Sequence, residues 1–343
     1  MEKTRKRRNT GRVTLQEVAN YAGVGTMTVS RALRTPEQVS DKLREKIEQA
    51  VEELGYIPNR AAGALASGHS DTIAVMIPSL TDKASSRFMQ ALQQVLNKNG
   101  FQVLLGCHEY NQHKEAEILM TLLQSSPAAL VIFGSQLAEK TYQILERAHI
   151  PTVNVVGSDY PQAKITLEAA FFEASHKLTD HLLDQGYQHI GYIGAHMDNR
   201  LQRQLLNGWH KAMLSRYQNS DQIVTTPEAA SLQFGRYALT EILLRQPELD
   251  AVICSHEEIA LGVIFESQRR LLKIPGDIAV VCLDGSDSCD QTHPTLTSIR
   301  IDYRRMGKDA GKMLIDMLND HVNEEDGPQV QNFSYRLELR QSS

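Results

Sequence analysis

From residue 71 onward short apolar runs alternate with longer amphipathic segments, and this alternation constrains the fold more than any other feature. The apolar runs lie at 72–77, 102–105, 130–133 and 152–156, with helical periodicity between them over 88–98 and 115–123. After a pause the pattern resumes. Helices are expected over 171–184, 202–215, 232–245, 259–270 and 304–318, and strands over 190–193, 251–254 and 278–283. Runs this short and apolar fit strands buried on both faces, and their alternation with helices implies parallel sheets covered on both sides. Such a stretch is long for one sheet, so two lobes are expected.

The first sixty residues have a different texture. Thr14-Leu15-Gln16-Glu17 has the spacing of a capping box, in which the threonine hydroxyl and the glutamate each satisfy an orphan N–H. Leu15, Val18, Ala19 and Ala22 then share one helical face until Gly23 stops the helix. A second short helix is expected from Gly25 to about Leu33, with Val29 and Leu33 inward. Pro36 breaks the pattern, Ser40 is placed to cap a third helix, and Leu43, Ile47, Ala50, Val51 and Leu54 form its apolar stripe. Two short helices across a tight turn, braced by a third, make a helix-turn-helix unit. Its second helix offers Thr26, Met27, Thr28, Ser30 and Arg31. Short polar groups and an arginine that can fork onto guanine or clasp phosphate suit a major-groove reader.

Net charge at first points away from nucleic acid, since 36 Lys+Arg against 41 Asp+Glu give −5. The distribution reverses that inference. Residues 1–70 hold 12 basic and 8 acidic residues, a balance of +4, and the remainder hold 24 and 33, a balance of −9. Six basic residues fall within the first twelve, an arm suited to phosphate through counterion release.

The run from Val13 to Leu33, with Leu-x-x-Val-Ala, Ala-Gly-Val and Thr-Val-Ser-Arg, resembles the lactose/galactose-repressor (LacI/GalR) family of bacterial regulators. Gly55-Tyr56-Ile57-Pro58-Asn59-Arg60-Ala61-Ala62 followed by Leu65 is similar to that family's hinge. The stretches Thr26-Met27-Thr28, Pro36-Glu37-Gln38-Val39-Ser40 and Tyr56–Ala61 further resemble its gluconate/idonate branch. Weaker landmarks continue through Ile77-Pro78-Ser79-Leu80, Gly208-Trp209, Ala260-Leu261-Gly262, Ile274-Pro275 and Asp284. The resemblance implies a small all-α helix-turn-helix domain followed by an α/β periplasmic-binding-protein-like core of two Rossmann-like lobes. The expected boundaries are 1–57 for the arm and DNA-binding domain, 58–70 for the hinge and linker, and 71–343 for the effector-binding and dimerisation core. Within the core, lobe 1 is expected at about 71–167 and 299–327 and lobe 2 at about 168–298 and 328–343. Three crossovers fall near 168, 298 and 327.

The resemblance also implies roles. Thr26, Met27 and Arg31 would read base edges, while Thr28 and Ser30 would contact phosphates. Thr14, Asn59 and Arg60 would join the DNA contacts, and Leu65 would wedge into the minor groove from a hinge helix that orders on DNA. In doubly wound sheets a ligand sits beyond the carboxyl ends of the strands. Effector candidates there are Ser79, Lys83, Arg87, Arg200, Arg203, His256, Glu257 and Asp284, with Thr81, Asp82, Glu109, Ser135 and Glu168 nearby. Carboxylates suit pairs of sugar hydroxyls and cations suit an acid group. The chain departs from the family pattern at His256-Glu257, where many relatives carry Asn-Asp, at Glu168-Ala169, at Leu205 and at Tyr187. Between Asp82 and Gln90 it also has only Phe88 where an aromatic pair is common.

Catalytic readings fail on spacing. His108-Glu109-x-x-x-His113 is one residue too long for a shared helix face, and Ala260 stands where His256-Glu257 would need a second histidine. No nucleophile elbow, phosphate-binding loop or dinucleotide fingerprint occurs. No metal site or cofactor is expected, since Cys107, Cys254, Cys282 and Cys289 are scattered. The basic start lacks a secretory apolar run and no membrane span is seen, so a cytoplasmic location is expected, and the resemblance implies a homodimer. Its partners would be double-stranded operator DNA and a sugar or sugar-acid effector. A solute-binding receptor with no DNA role is the competing reading, opposed by residues 13–65.

Overall fold

The computed structural model describes residues 13–58, 70–134, 137–156, 160–197, 199–319 and 327–343. The basic arm, Asn59, Arg60, Leu65 and Ser135 lie outside the described residues. The chain divides into two compact units, Met1–His69 and Ser70–Ser343.

In the first unit, α1 (Leu15–Ala22), α2 (Thr26–Arg34) and α3 (Asp41–Leu54) form three helices. The capping box forms in full: the Glu17 amide donates to Thr14 Oγ1 at 3.3 Å, and the Thr14 amide donates to Glu17 Oε2 at 2.7 Å. Gly23 ends α1 at φ 63°, a left-handed conformation that costs glycine nothing and other residues about 1–2 kcal/mol. Val18, Ala19, Ala22, Val29, Ala32, Ile47 and Ala50 close the small core. Ser40 occupies the N-cap position of α3, but its side chain makes no capping bond. The Tyr21 hydroxyl donates to Glu53, tying α1 to α3.

The second unit holds, among the described residues, two six-stranded sheets. The first contains β1 (Thr72–Ile77), β2 (Gln102–Cys107), β3 (Ala129–Phe133), β4 (Thr152–Val155), β5 (Ile165–Ala169) and β11 (Gln329–Phe333), in the order β11-β5-β4-β3-β1-β2. The second contains β6 (Ile190–Gly194), β7 (Ile223–Thr225), β8 (Ala251–Cys254), β9 (Ala279–Cys282), β10 (Thr297–Ile301) and β12 (Tyr335–Glu338), in the order β12-β10-β9-β8-β6-β7. All pairings are parallel except β10 with β12.

Helices cover both faces, which is why the strands read as unbroken apolar runs. Ile73, Val75 and Ile77 of β1 pack with Phe88, Leu92 and Leu96 of α4 (Lys83–Lys98). The alternate residues Ala74 and Met76 pack on the other face with Leu119 and Leu122 of α5 (Gln112–Leu123). The first lobe also has α6 (Glu139–Ala148) and α11 (Tyr303–Leu318). The second has α7 (Phe171–Asp184), α8 (Arg200–Ser215), α9 (Leu232–Arg245) and α10 (Glu257–Arg269). At Gly208 a Cβ would stand 2.3 Å from the Phe172 carbonyl oxygen, so α8 can approach α7 this closely only with glycine.

The lobe boundaries differ from the sequence expectation. Glu168 and Ala169 pair with Asn332 and Phe333 in the first sheet, so the first crossover follows Ala169. Residues 299–301 pair with β12 in the second sheet, so the second crossover follows Ile301, a few residues past the expected position near 298. The third lies between Phe333 and Tyr335 instead of near 327, because β11 runs in register with β5. These short edge strands lack long apolar runs, since one side of their ladder is open or solvated. Among the described residues no helix is long and apolar enough to cross a membrane.

Candidate functional site

Both sheets reverse strand order beside their first strand, between β1 and β3 and between β6 and β8. Loops at such a reversal diverge to opposite faces and leave a crevice at the strands' carboxyl ends. Here the two crevices face each other. Pro78 and Gly134 follow β1 and β3 in one lobe, His256 follows β8 and Asp284 follows β9 in the other, and all four line a common cavity. Asp82, Tyr110, Phe133, Phe171, Asn199, Gln202, Leu205 and Tyr303 complete most of its wall.

The lobes are closed over this cavity. It holds about 40 Å³, room for little more than a water, so a six-carbon ligand requires the lobes to part or the wall to move. Tyr110 of the first lobe stacks on His196 of the second, with ring centroids 3.8 Å apart and planes 17° apart. Outside this pair lies an open hollow of about 600 Å³, and Tyr110, Gly134 and Asn199 line both spaces. Tyr110 therefore stands between the inner cavity and the outer hollow, with His196 stacked on it and lining the outer hollow. Further ties cross the cleft, among them Arg87 at 3.9 Å from Asp287. Asn199 Nδ2 donates to the Gly134 carbonyl at 3.4 Å, and Lys83 Nζ reaches Glu257 at 2.8 Å and Glu258 at 3.0 Å.

Burial sets the protonation states. Desolvation, aided by the neighbouring His256, pushes His196 down to about 4. Burial likewise lowers His256, whose Nδ1 lies 2.7 Å from Ser255 Oγ and whose Nε2 lies 3.4 Å from the Gln202 amide nitrogen. Asp284 is raised to about 7, first by burial and then by the charges of Asp82 and Glu258, with Arg87 opposing. Gln202 is buried and lines the cavity, and among the described residues its Oε1 accepts no hydrogen bond. Two carboxylates, an open amide oxygen, two tyrosines and a phenylalanine face suit a polyhydroxylated ligand: acceptors for hydroxyls and a flat apolar surface for C–H groups.

Of the effector candidates, His256 and Asp284 line the inner cavity, and Arg203 lines the outer hollow. The others lie elsewhere. Glu257 is only 1% exposed, and its carboxylate is occupied by Lys83 and by the Ser286 amide at 2.8 Å. Lys83 is occupied by the two glutamates, and Arg87 lies 3.9 Å from Asp287. Ser79 bonds Thr81 at 2.9 Å, while Arg200 is exposed on the first turn of α8. Glu109 pairs with Lys114 outside the cavity, and Glu168 is exposed on β5. Sequence reasoning missed Tyr110, His196, Asn199, Gln202 and Tyr303. Tyr110, His196, Asn199 and Tyr303 each follow a strand end, a legible signal, but the left-handed backbone of Tyr110 and His196 (φ 58° and 54°) and their mutual stacking are tertiary facts.

In the helix-turn-helix unit, Met27 is 75% exposed and Arg31 is exposed on the same helix, with Thr26, Thr28 and Ser30 half-buried beside them. Thr14 is exposed at the start of α1, but its hydroxyl is held by Glu17. The backbone and side chain of Thr14 in turn hold the Glu17 carboxyl below its usual range.

These features define a class: a helix-turn-helix module on one chain with a two-lobed periplasmic-binding-protein-like sensor. Residues 14–59 match the model of bacterial regulatory proteins of the lacI family, and residues 179–343 match the periplasmic binding protein-like domain. The chain is 34% identical to the HTH-type transcriptional regulator GntR of Escherichia coli (strain K12) over 305 residues, 89% of this chain and 91% of that one. It belongs to the LacI family of bacterial regulators. Among solved structures, a LacI-family transcriptional regulator from Silicibacter pomeroyi superposes with TM-score 0.87 at 27% identity, covering 96% of this chain and 99% of that one. The lac repressor dimer bound to operator and the anti-inducer ONPF gives TM-score 0.81 at 25% identity, with coverage of 96% and 99%.

Proposed function

We propose that this protein is a transcriptional repressor of the cytoplasm, binding a pseudo-palindromic operator as a homodimer and releasing or gripping it according to a sugar or sugar-acid effector of gluconate type. The observation that carries the reading is the pairing, in one chain, of an exposed reading helix with a closed, carboxylate-lined cleft. The matched relatives are transcriptional regulators, and no catalytic role is assigned to the cleft.

Met27 and Arg31, with Thr26, meet base edges, and Thr28 and Ser30 set register on the phosphates. Thr14, Asn59 and Arg60 add DNA contacts, and Leu65 wedges the minor groove. In the sensor, Asp82 and Asp284 take hydroxyl pairs, Gln202 Oε1 accepts a further hydroxyl, and Arg203 guards the outer hollow. Tyr110 and His196 exclude water once closed. Because residues of both lobes touch the ligand, the lobes' relative position depends on it. The spacing of the two segments at 58–70 across the dimer then follows, and operator affinity shifts by the ligand's preference for one state over the other.

Operator selection from random duplexes, repeated with gluconate, idonate and keto-acids, tests the whole scheme. Specific binding that falls steeply with salt and shifts with one of these ligands is expected. Leu65→Ala should lower specific affinity and operator bending together. Binding and bending unchanged in that variant would remove the wedge from the mechanism.

A further inference from the structure

The cleft carries more negative than positive charge. Asp82 and Asp284 line the cavity from opposite lobes, and Glu257 and Glu258 stand on the first turn of α10 with fields that reach Asp284. Two cations face these four carboxylates. Lys83 is already held between Glu257 and Glu258, and Arg87 sits 3.9 Å from Asp287 while acting on Asp284 at longer range. The other titratable neighbours are His196, His256, Tyr110, Tyr303 and Cys282, and burial holds each in its neutral form. Among the described residues no cation forms a salt bridge with Asp284. Asp82 accepts hydrogen bonds from the Ala84 and Ser85 amides and from the Ser85 hydroxyl at 2.6 Å.

An anionic ligand closed into this space faces two carboxylates, and among the described residues neither lysine nor arginine lines its wall. Like charges brought together out of water cannot all remain ionised. We propose that a sugar-acid anion binds this cleft together with one proton, which settles on Asp284 and converts that carboxylate from an acceptor into a hydroxyl donor for the ligand. The proposal rests on the sugar-acid reading above. One monoanion and one proton from solvent enter, one O–H bond forms on Asp284, and nothing is oxidised or reduced. Asp284 is suited to this because burial and Asp82 already raise its proton affinity to about 7, so the proton is acquired easily near neutral pH. Asp284 then donates to the anion while Asp82 and Gln202 Oε1 keep accepting from hydroxyls.

The sign of the linkage is fixed. Well below pH 7 Asp284 is protonated before the ligand arrives, and binding takes up almost no proton. Above it the proton must come with the ligand, and affinity for the anion weakens by about tenfold per pH unit. His196 and His256, already neutral, do not titrate in that window. A neutral polyol of the same length, such as glucitol, has no such requirement.

The test is calorimetric titration of the full chain with gluconate and with glucitol from about pH 6 to pH 9, in pairs of buffers that differ in ionisation heat. For gluconate, proton uptake should rise from near zero to near one per site, with Kd about tenfold weaker per unit at the alkaline end. Asp284→Asn should abolish both the uptake and the slope. Asp82→Asn should move the break to lower pH, because it removes a charge that raises Asp284. Gluconate binding without proton uptake overturns the proposal and leaves the sugar-acid reading standing. No binding of gluconate, idonate or keto-acids at any pH overturns that reading and the proposal with it. If Asp284→Asn does not fold, the wild-type calorimetry and Asp82→Asn decide the matter.

Discussion

Replacing Lys83 by Met asks whether the cross-cleft ion pair holds the lobes in the closed arrangement. The methionine keeps most of the alkyl stem and removes only the ammonium that reaches Glu257 at 2.8 Å and Glu258 at 3.0 Å. Breaking a fully buried pair by removing one partner costs about 3–5 kcal/mol, because the remaining charge is stranded. Glu257 meets that description at 1% side-chain exposure, but Lys83 is 39% exposed and the Ser286 amide still bonds the carboxylate. Solvent screening and that retained bond reduce the expected cost to about 2 kcal/mol. For a unit of this size the cost corresponds to a fall of about 4–6 °C in Tm.

The pH dependence has a definite direction. Burial alone would raise Glu257, and the bonds from Lys83 and Ser286 outweigh it and hold the carboxyl below its usual range. A lowered carboxylate contributes stability that is present above the ordinary value of 4.5 and lost as pH falls through the lowered one. Without Lys83, burial acts against the Ser286 bond alone and the carboxyl takes a proton at higher pH. The gap in Tm between wild type and Lys83→Met is therefore widest near neutral pH and narrows toward about pH 5. Adding Glu257→Gln should recover at least half the loss, since a neutral amide is not stranded. Differential scanning fluorimetry over this range reads all three effects. A single variant within about 1 °C of wild type near neutral pH, or no recovery in the double variant, would refute the assignment of this pair as a tie between the lobes.

Thr14→Ala should remove about 1 kcal/mol from α1 through loss of the capping box, seen as faster amide exchange in that helix within the full chain. Arg31→Ala should cost about 1–3 kcal/mol of operator affinity and relax base preference at one position, while Ser30→Ala should weaken binding evenly across sequences, both by competition with permuted duplexes. Tyr110→Ala should remove a stack of about 0.5–1.5 kcal/mol and speed ligand release up to roughly tenfold in stopped flow. Gly208→Ala should cost about 1–3 kcal/mol in thermal unfolding, because its Cβ would meet backbone that cannot yield.

Much of the architecture was legible because it rests on local physics. The capping box at Thr14, the left-handed stop at Gly23 and the exact spans of α7, α9 and β8 all follow from short-range pattern and periodicity. Edge strands escaped, and with them the crossover positions. The burial of β11 and β12 alternates incompletely, and only their pairing with β5 and β10 makes them strands. In the cleft, Asp284 was found because a strand end is legible, and Glu257 was placed there for the same reason. That Glu257 instead turns to Lys83 and Ser286 depends on groups 174 and 29 residues away.

The sequence by itself determined the two-part organisation: an amphipathic, basic, helix-rich start and an acidic α/β remainder, each set by periodicities of a few residues. It also determined the family, through contiguous motifs. Only the tertiary structure decided which polar residues face the ligand space. Side chains from distant segments compete there for the same charges, and the winner of each competition depends on distances that no local pattern encodes. Lys83 belongs to the glutamates and Tyr110 stacks on His196, while Asp284 is left buried beside other carboxylates.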